Sequence, residues 1–136
     1  PPRSTLFPYT TLFRSDELVS GIFIPHPGKN AVGNFNKLGT RSYLVISIVM
    51  VGVVVELNEE DEVMELKVAV GACSPVAKRL RLLEEDVVGQ KLNSIEIQPR
   101  HLESLQPIDD IRASASFRKI VTPELLKRAI QGVKQK

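Results

Sequence analysis

The side chains able to do chemistry are few and scattered. Two histidines occur, His26 and His101. His26 lies between two prolines in loop-forming sequence, and His101 falls on a short helix expected over 99–105. A His-based metal site needs several ligands converging on one point, and a hydrolytic triad needs a nucleophile and an acid beside the base. Neither pattern surrounds these two residues. Asp109 and Asp110 are adjacent carboxylates, and adjacent side chains seldom converge on one atom. Helix capping and pairing with Arg112 or Arg118 are their expected uses. Cys73 is the single cysteine, set in Gly71-Ala72-Cys73-Ser74-Pro75. Those small residues suit a tight strand-to-helix turn, in which Cys73 packs rather than binds a ligand. One cysteine supplies neither an internal disulfide nor, by itself, an iron–sulfur or zinc cluster. Lys78-Arg79-Leu80-Arg81 precedes Glu84-Glu85-Asp86, which reads as solvated i,i+4 pairing on a helix rather than as a nucleic-acid patch.

Thr5 to Ser15, TLFPYTTLFRS, matches the translation of a short-read sequencing adapter. Residues 1–15 are therefore expected to be an artefactual leader, with the protein proper starting at Asp16. The leader holds Arg3 and Arg14, so 16 of the 18 basic residues remain to face 16 acidic ones. A balanced chain gives no electrostatic case for nucleic acid or anionic membrane. The leader also holds Phe7, Tyr9 and Phe13, which leaves Phe23, Phe35, Tyr43 and Phe117 and an aliphatic core. The apolar run over 43–55 is shorter than the ~18–20 residues that span a bilayer. The reducing cytoplasm is the expected compartment.

The elements that must position these residues follow from periodicity and punctuation. Residues 16–25 read as a short strand stopped by Pro25, and 25–36 have the Pro, Gly and Asn of a loop or linker. The β-branched run 43–57 predicts a long strand. The acidic turn 58–62 then joins it to a second strand over 63–73, which implies an antiparallel hairpin. Ser74-Pro75 predicts a helix start, with Val76, Leu80, Leu83 and Val87 at helical spacing and Gly89 as its stop. Residues 93–97 read either as a weak strand or as the start of the short helix at 99–105. A last helix is expected after Ser114, its stripe formed by Phe117, Ile120, Val121, Leu125, Leu126, Ala129, Ile130 and Val133. Pro123 either bends it or starts its second half.

Three segments together resemble one family. They are Phe35-Asn-Lys-Leu-Gly-Thr-Arg-Ser-Tyr-Leu-Val-Ile-Ser47, Val68-Ala-Val-Gly-Ala-Cys-Ser-Pro-Val-Ala77, and Pro107-Ile-Asp-Asp-Ile-Arg-Ala-Ser-Ala-Ser-Phe-Arg118 followed by Leu-Leu-Lys-Arg-Ala at 125–129. Their order and spacing resemble the C-terminal domain of the FAD-binding medium subunit of molybdenum hydroxylases, the group of xanthine dehydrogenase and carbon monoxide dehydrogenase. The resemblance implies an α+β fold, a three-stranded antiparallel sheet packed with helices, over residues 35–136. Residues 16–34 would be the end strand of the flavin-binding portion plus a linker.

The implied function is electron transfer. A large molybdopterin subunit would oxidise the substrate, a small subunit's 2Fe-2S clusters would relay electrons, and FAD would pass them to NAD or another acceptor. The protein's part is to position the flavin. The resemblance carries two cofactor-binding positions onto this chain, Leu44 and Val45, as an apolar cover for one face of the isoalloxazine. The competing role for both is ordinary strand core. Some relatives carry an Asp where Leu44 stands and a Lys near the flavin at about Met64, so a charge-tuning role is not carried over. The Gly-rich phosphate loops of the flavin portion are absent from this sequence, so the chain by itself is expected to hold FAD weakly or not at all. The rival reading is a small, non-catalytic α+β interaction module.

Overall fold

The computed structural model describes residue 18 and residues 20–135. The leader 1–15 lies outside the described residues. So do Asp16, Glu17 and Val19 of the expected first strand. Residues 20–25 join no sheet, and Ile22, Phe23 and Ile24 are exposed. A lone extended segment has no neighbour to take its backbone hydrogen bonds, so sequence pattern alone does not make it a strand.

Four strands follow in the order β1 (Val32–Leu38), β2 (Val49–Leu57), β3 (Val63–Gly71) and β4 (Lys78–Arg79), every pairing antiparallel. The α+β architecture stands, and the expected three-stranded sheet is corrected to four by the two-residue β4. β1 was hidden in what reads as loop sequence. Its inward residues are Asn34, Asn36 and Leu38, so it lacks an apolar alternation. Asn34 Nδ2 instead donates to the Ala129 carbonyl at 2.9 Å. This polar edge satisfies the backbone of the neighbouring helix.

The hairpin of β2 and β3 is the centre of the sheet. Val49, Val51, Val53 and Val55 point to one face and are buried, as period-2 geometry requires. Asn58 organises the acidic turn: its Oδ1 accepts from the backbone of Glu60 and Glu62, both at 2.9 Å. Beyond the turn, the pairing jumps from Leu57 with Val63 to Glu56 with Glu65. Met64 is the extra residue of a β-bulge. The bulge flips the phase, so Val63, Leu66, Val68 and Val70 are buried while Met64 is exposed. A strict alternation through 63–70 therefore fails at Met64.

The helix expected at Ser74 begins later. Residues 72–76 form bends, β4 pairs with β3, and α1 runs Arg81–Asp86. Leu80, Leu83 and Val87 are buried as the spacing predicted, but Val76 is exposed. Gly89, at φ 79°, ends the turn after α1 and donates to the Val63 carbonyl, a left-handed position that favours glycine. Residues 92–94 and 99–102 are short 3-10 turns, which resolves the strand-or-helix ambiguity there. The last helix, α2, spans Ala115–Gln131 with Ser114 as N-cap, its hydroxyl accepting from Phe117 N–H at 3.1 Å. Pro123 sits within α2. Leu126, Ala129, Ile130 and Val133 enter the core, Val121 and Leu125 flank it, and Phe117 and Ile120 stay exposed.

Candidate functional site

The loop from Gly39 to Ser47 joins β1 to β2 and carries both candidate cofactor residues. It was expected to be strand from Tyr43 onward. β2 starts only at Val49, because Leu44 has φ 48° and breaks the extended backbone. Left-handed geometry is unfavourable for a branched, non-glycine side chain, so the surroundings must hold it. Lys37 Nζ donates to the Val45 carbonyl and Arg41 Nη2 to the Leu44 carbonyl, both at 2.6 Å. The neck is closed by Ile48 N–H on the Leu38 carbonyl at 2.8 Å. Gly39 is needed by close approach: a Cβ there would lie 2.5 Å from Val45 Cγ1. Leu44 is 93% exposed and Val45 half-buried. Beside them an open depression of about 370 Å³ is lined by Lys37, Gly39, Arg41 and Ser42, among others.

Beneath this loop lies Arg118, which is 2% exposed. Its Nη1 donates to the carbonyls of Ile48 at 2.7 Å and Ala72 at 2.6 Å, and its Nη2 meets Asp110 Oδ1 at 2.7 Å. One side chain thus ties the start of β2, the exit of β3 and the segment before α2. Asp110 is held well below the usual carboxylate range, first by the Arg112 backbone N–H, then by the Ala113 N–H and the guanidinium groups of Arg112 and Arg118, with desolvation opposing. Asp109 accepts from Ala115 N–H at 2.6 Å. The expected division of labour between these carboxylates, capping and arginine pairing, is what the structure shows.

The remaining candidates are placed as follows. His101 is buried; its Nδ1 accepts from Gln98 N–H at 3.1 Å and its Nε2 faces Asp86 Oδ2 at 2.8 Å. His26 lies exposed in its loop. Among the described residues no group of His, Cys, Asp and Glu is arranged to hold a metal ion. Cys73 is buried against Thr122 Oγ1 at 3.7 Å, and burial pushes its thiol pKa up against the opposing pull of Thr122 and Arg118. The expected helical i,i+4 pairing becomes a strand-to-helix contact. Arg79 on β4 binds Glu84 on α1 through two hydrogen bonds of 2.6 Å, and Glu84 also accepts from Val68 N–H at 2.8 Å.

Leu44 and Val45 are brought together, but Met64 is not. Gly71 pairs with Met50 at the loop end of the sheet, whereas Met64 sits beside Val63, which pairs with Leu57. Seven residues of strand separate those ends, roughly 24 Å at ~3.4 Å per residue. Sequence reasoning also missed the clamps Lys37 and Arg41 and the staple Arg118. The first two lie inside the Phe35–Ser47 segment and were readable as cations flanking a Gly-containing turn. The staple was not, because it joins residues far apart in sequence.

The fit to a flavin divides in two. Exposed Leu44 and half-buried Val45 give an apolar surface suited to one ring face. The glycines of the described residues stand singly along the chain, so no Gly-rich nest of backbone amides offers itself to a pyrophosphate.

Residues 35–133 match the family model of the CO dehydrogenase flavoprotein C-terminal domain, a class of flavoprotein domains. The chain belongs to that family. Solved structures of similar fold include reconstituted CO dehydrogenase from Oligotropha carboxidovorans, at 18% identity and TM-score 0.68, covering 82% of this chain and 40% of that one. Carbon monoxide dehydrogenase from Hydrogenophaga pseudoflava, in a form lacking the Mo-pyranopterin moiety, is 16% identical with TM-score 0.67, covering 82% and 39%. Quinoline 2-oxidoreductase from Pseudomonas putida 86 is 20% identical with TM-score 0.69, covering 82% and 39%. The chain thus spans about 40% of the length of these chains. No curated protein matched. Among the described residues no helix is long and apolar enough to cross a membrane.

Proposed function

We propose that this chain is the C-terminal part of the FAD-binding subunit of a molybdenum hydroxylase, and that its β1–β2 loop covers one face of the flavin. The observation that carries the reading is Leu44, fully presented on a loop whose carbonyls are clamped by Lys37 and Arg41. A side chain held out in a left-handed conformation contributes little to the core, so its stiff presentation favours contact with something outside the domain. FAD, when bound, would supply the redox chemistry between iron–sulfur clusters and NAD or another acceptor. The chain's residues would exclude water from the ring through Leu44 and Val45 and fix the loop through Arg118. The partners are then a large molybdopterin subunit and a small iron–sulfur subunit, and the setting is the cytoplasm. The phosphates would be held by the flavin portion of the subunit, so this chain alone binds FAD weakly.

The test is an FAD titration of the chain alone and of the chain co-purified with the flavin portion of the subunit. The first is expected to be colourless, and the second yellow, with its flavin spectrum shifted by Leu44→Asp. An unshifted spectrum in Leu44→Asp would remove Leu44 from the site. Failure of the two portions to associate would favour a stand-alone interaction module.

A further inference from the structure

We propose that the outer face of the sheet, opposite α2, is the seat on which the flavin portion of the subunit docks; this rests on the function proposed above. The pairing register fixes what the face presents. Phe35, Gly52, Ala69 and Arg79 form one row across the four strands, and Gly33, Val54 and Lys67 form the next. Gly52 and Val54 alternate with the buried valines of β2, so both rows point away from the core. They enclose a trough of about 500 Å³ with Gly52 and Ala69 on its floor. Phe35 stands at its β1 side, 58% exposed. Glycine weakens the interior of a strand and often marks the close approach of another backbone. Nothing inside this domain asks for Gly52: beyond its chain neighbours, no described atom lies within 4 Å of where its Cβ would sit.

The path of the chain selects the occupant. A Cβ on Gly28 would collide with the Glu56 carboxylate, and Glu56 shares the outward phase of Gly52 and Val54. The chain therefore enters β1 from the outer side of the sheet. Just upstream, Pro25-His26-Pro27 makes a stiff spacer, and Ile22, Phe23 and Ile24 are 80–89% exposed. The four residues from Ile24 to Gly28 reach ~12 Å, and the four from Glu56 to Gly52 measure ~14 Å. A body that holds Ile22 to Ile24 is thus kept within reach of the trough. Size argues against a second copy. The three long strands present roughly 350 Å², under half the ~800 Å² per partner of a standard interface. A tethered portion needs less, because the tether raises its effective concentration. Charge argues against an anion: Lys67 is paired with Glu65 and Arg79 with Glu84. What remains for a partner is the apolar centre.

The experiment compares thiol labelling of Gly52→Cys in the full chain alone and co-purified with the flavin portion. Labelling should be fast alone and at least about tenfold slower in the complex, a loss of accessibility worth one factor of ten in the open population. Ile120→Cys, on the exposed side of α2, should label equally in both states. Gly52→Glu and Ala69→Arg should each weaken association at least about tenfold, because either sign of charge would be buried unpaired. Thermal melts of the two variants alone should match the unsubstituted chain, which separates lost docking from lost folding; if one variant does not fold, the other and the labelling arm decide. Association of the unsubstituted chain with equal labelling of Gly52→Cys in both states would overturn the docking face and leave the flavin-subunit reading standing. No association at all would overturn both. A dimer of the chain alone in sedimentation, lost in Gly52→Glu, would give the face to a second copy and overturn the proposal.

Discussion

Arg118 and Asp110 meet at 2.7 Å under the β1–β2 loop, and the same guanidinium holds the carbonyls of Ile48 and Ala72. The pair therefore links three chain segments that share no local sequence. It sets the height of the loop that carries Leu44 and Val45, because Ile48 is the residue at which that loop re-enters the sheet.

Replacing Arg118 with Met should cost about 2–4 kcal/mol, since two buried carbonyls lose their donor and Asp110 loses a partner. Denaturant unfolding would measure it, and a loss under about 1 kcal/mol would show that the staple is dispensable. Amides of residues 39–47 should show the largest spectral changes short of unfolding.

Asp110 gives the fold an acid-sensitive element. Its folded pKa is depressed, so its stabilisation is present above the unfolded carboxylate value near ~3.9 and is lost as pH falls through and below it. Asp110→Asn should lower stability at neutral pH and flatten the decline between about pH 4 and pH 2. An unchanged slope would mean that other carboxylates control acid unfolding.

Leu44 distinguishes a presented side chain from a core one. Leu44→Gly removes almost no buried surface and relieves a left-handed strain of ~1–2 kcal/mol, offset by the added freedom of glycine in the unfolded chain. The net change in stability should lie between about zero and a gain of 1 kcal/mol. A loss above about 2 kcal/mol, the size of a buried-leucine truncation, would show that Leu44 is packed.

Glu84 joins β3, β4 and α1. Glu84→Ala leaves the Val68 N–H without its acceptor and should cost about 1–3 kcal/mol. Glu84→Gln retains an acceptor and should cost less. Thermal melts of the two variants would rank them, and equal losses would indicate that the Arg79 charge pair, rather than the Val68 bond, carries the effect.

Cys73 should resist thiol reagents in the folded chain at about pH 8, where an ordinary cysteine is partly thiolate. Its folded pKa is raised, so the associated stability is intact below the unfolded value and is lost as pH rises through the folded one. Labelling as fast as in the unfolded chain would contradict its burial.

Much of this protein is legible in its sequence because the signals are local. The valine alternation of β2 predicts which face is buried, Asn58 and its acidic neighbours predict a hairpin turn, and Ser114 predicts the start of α2. Asp109 and Asp110 declare their capping and pairing roles because their partners lie only two to eight residues further along the chain. The order of three segments also carries the family. What the sequence could not show is wherever a distant partner overrides local pattern. β1 is a strand because Asn34 and Asn36 face α2, not because they are apolar. The bulge at Met64 reverses the phase of β3 and moves that residue to the far end from Leu44. Leu44 leaves β2 because Lys37 and Arg41 hold the loop carbonyls, and the loop sits where it does because Arg118, seventy residues beyond Ile48, reaches across to it. Local backbone preference and hydrophobic period are properties of neighbouring residues. The geometry of the loop is a property of hydrogen bonds formed only after the chain has folded.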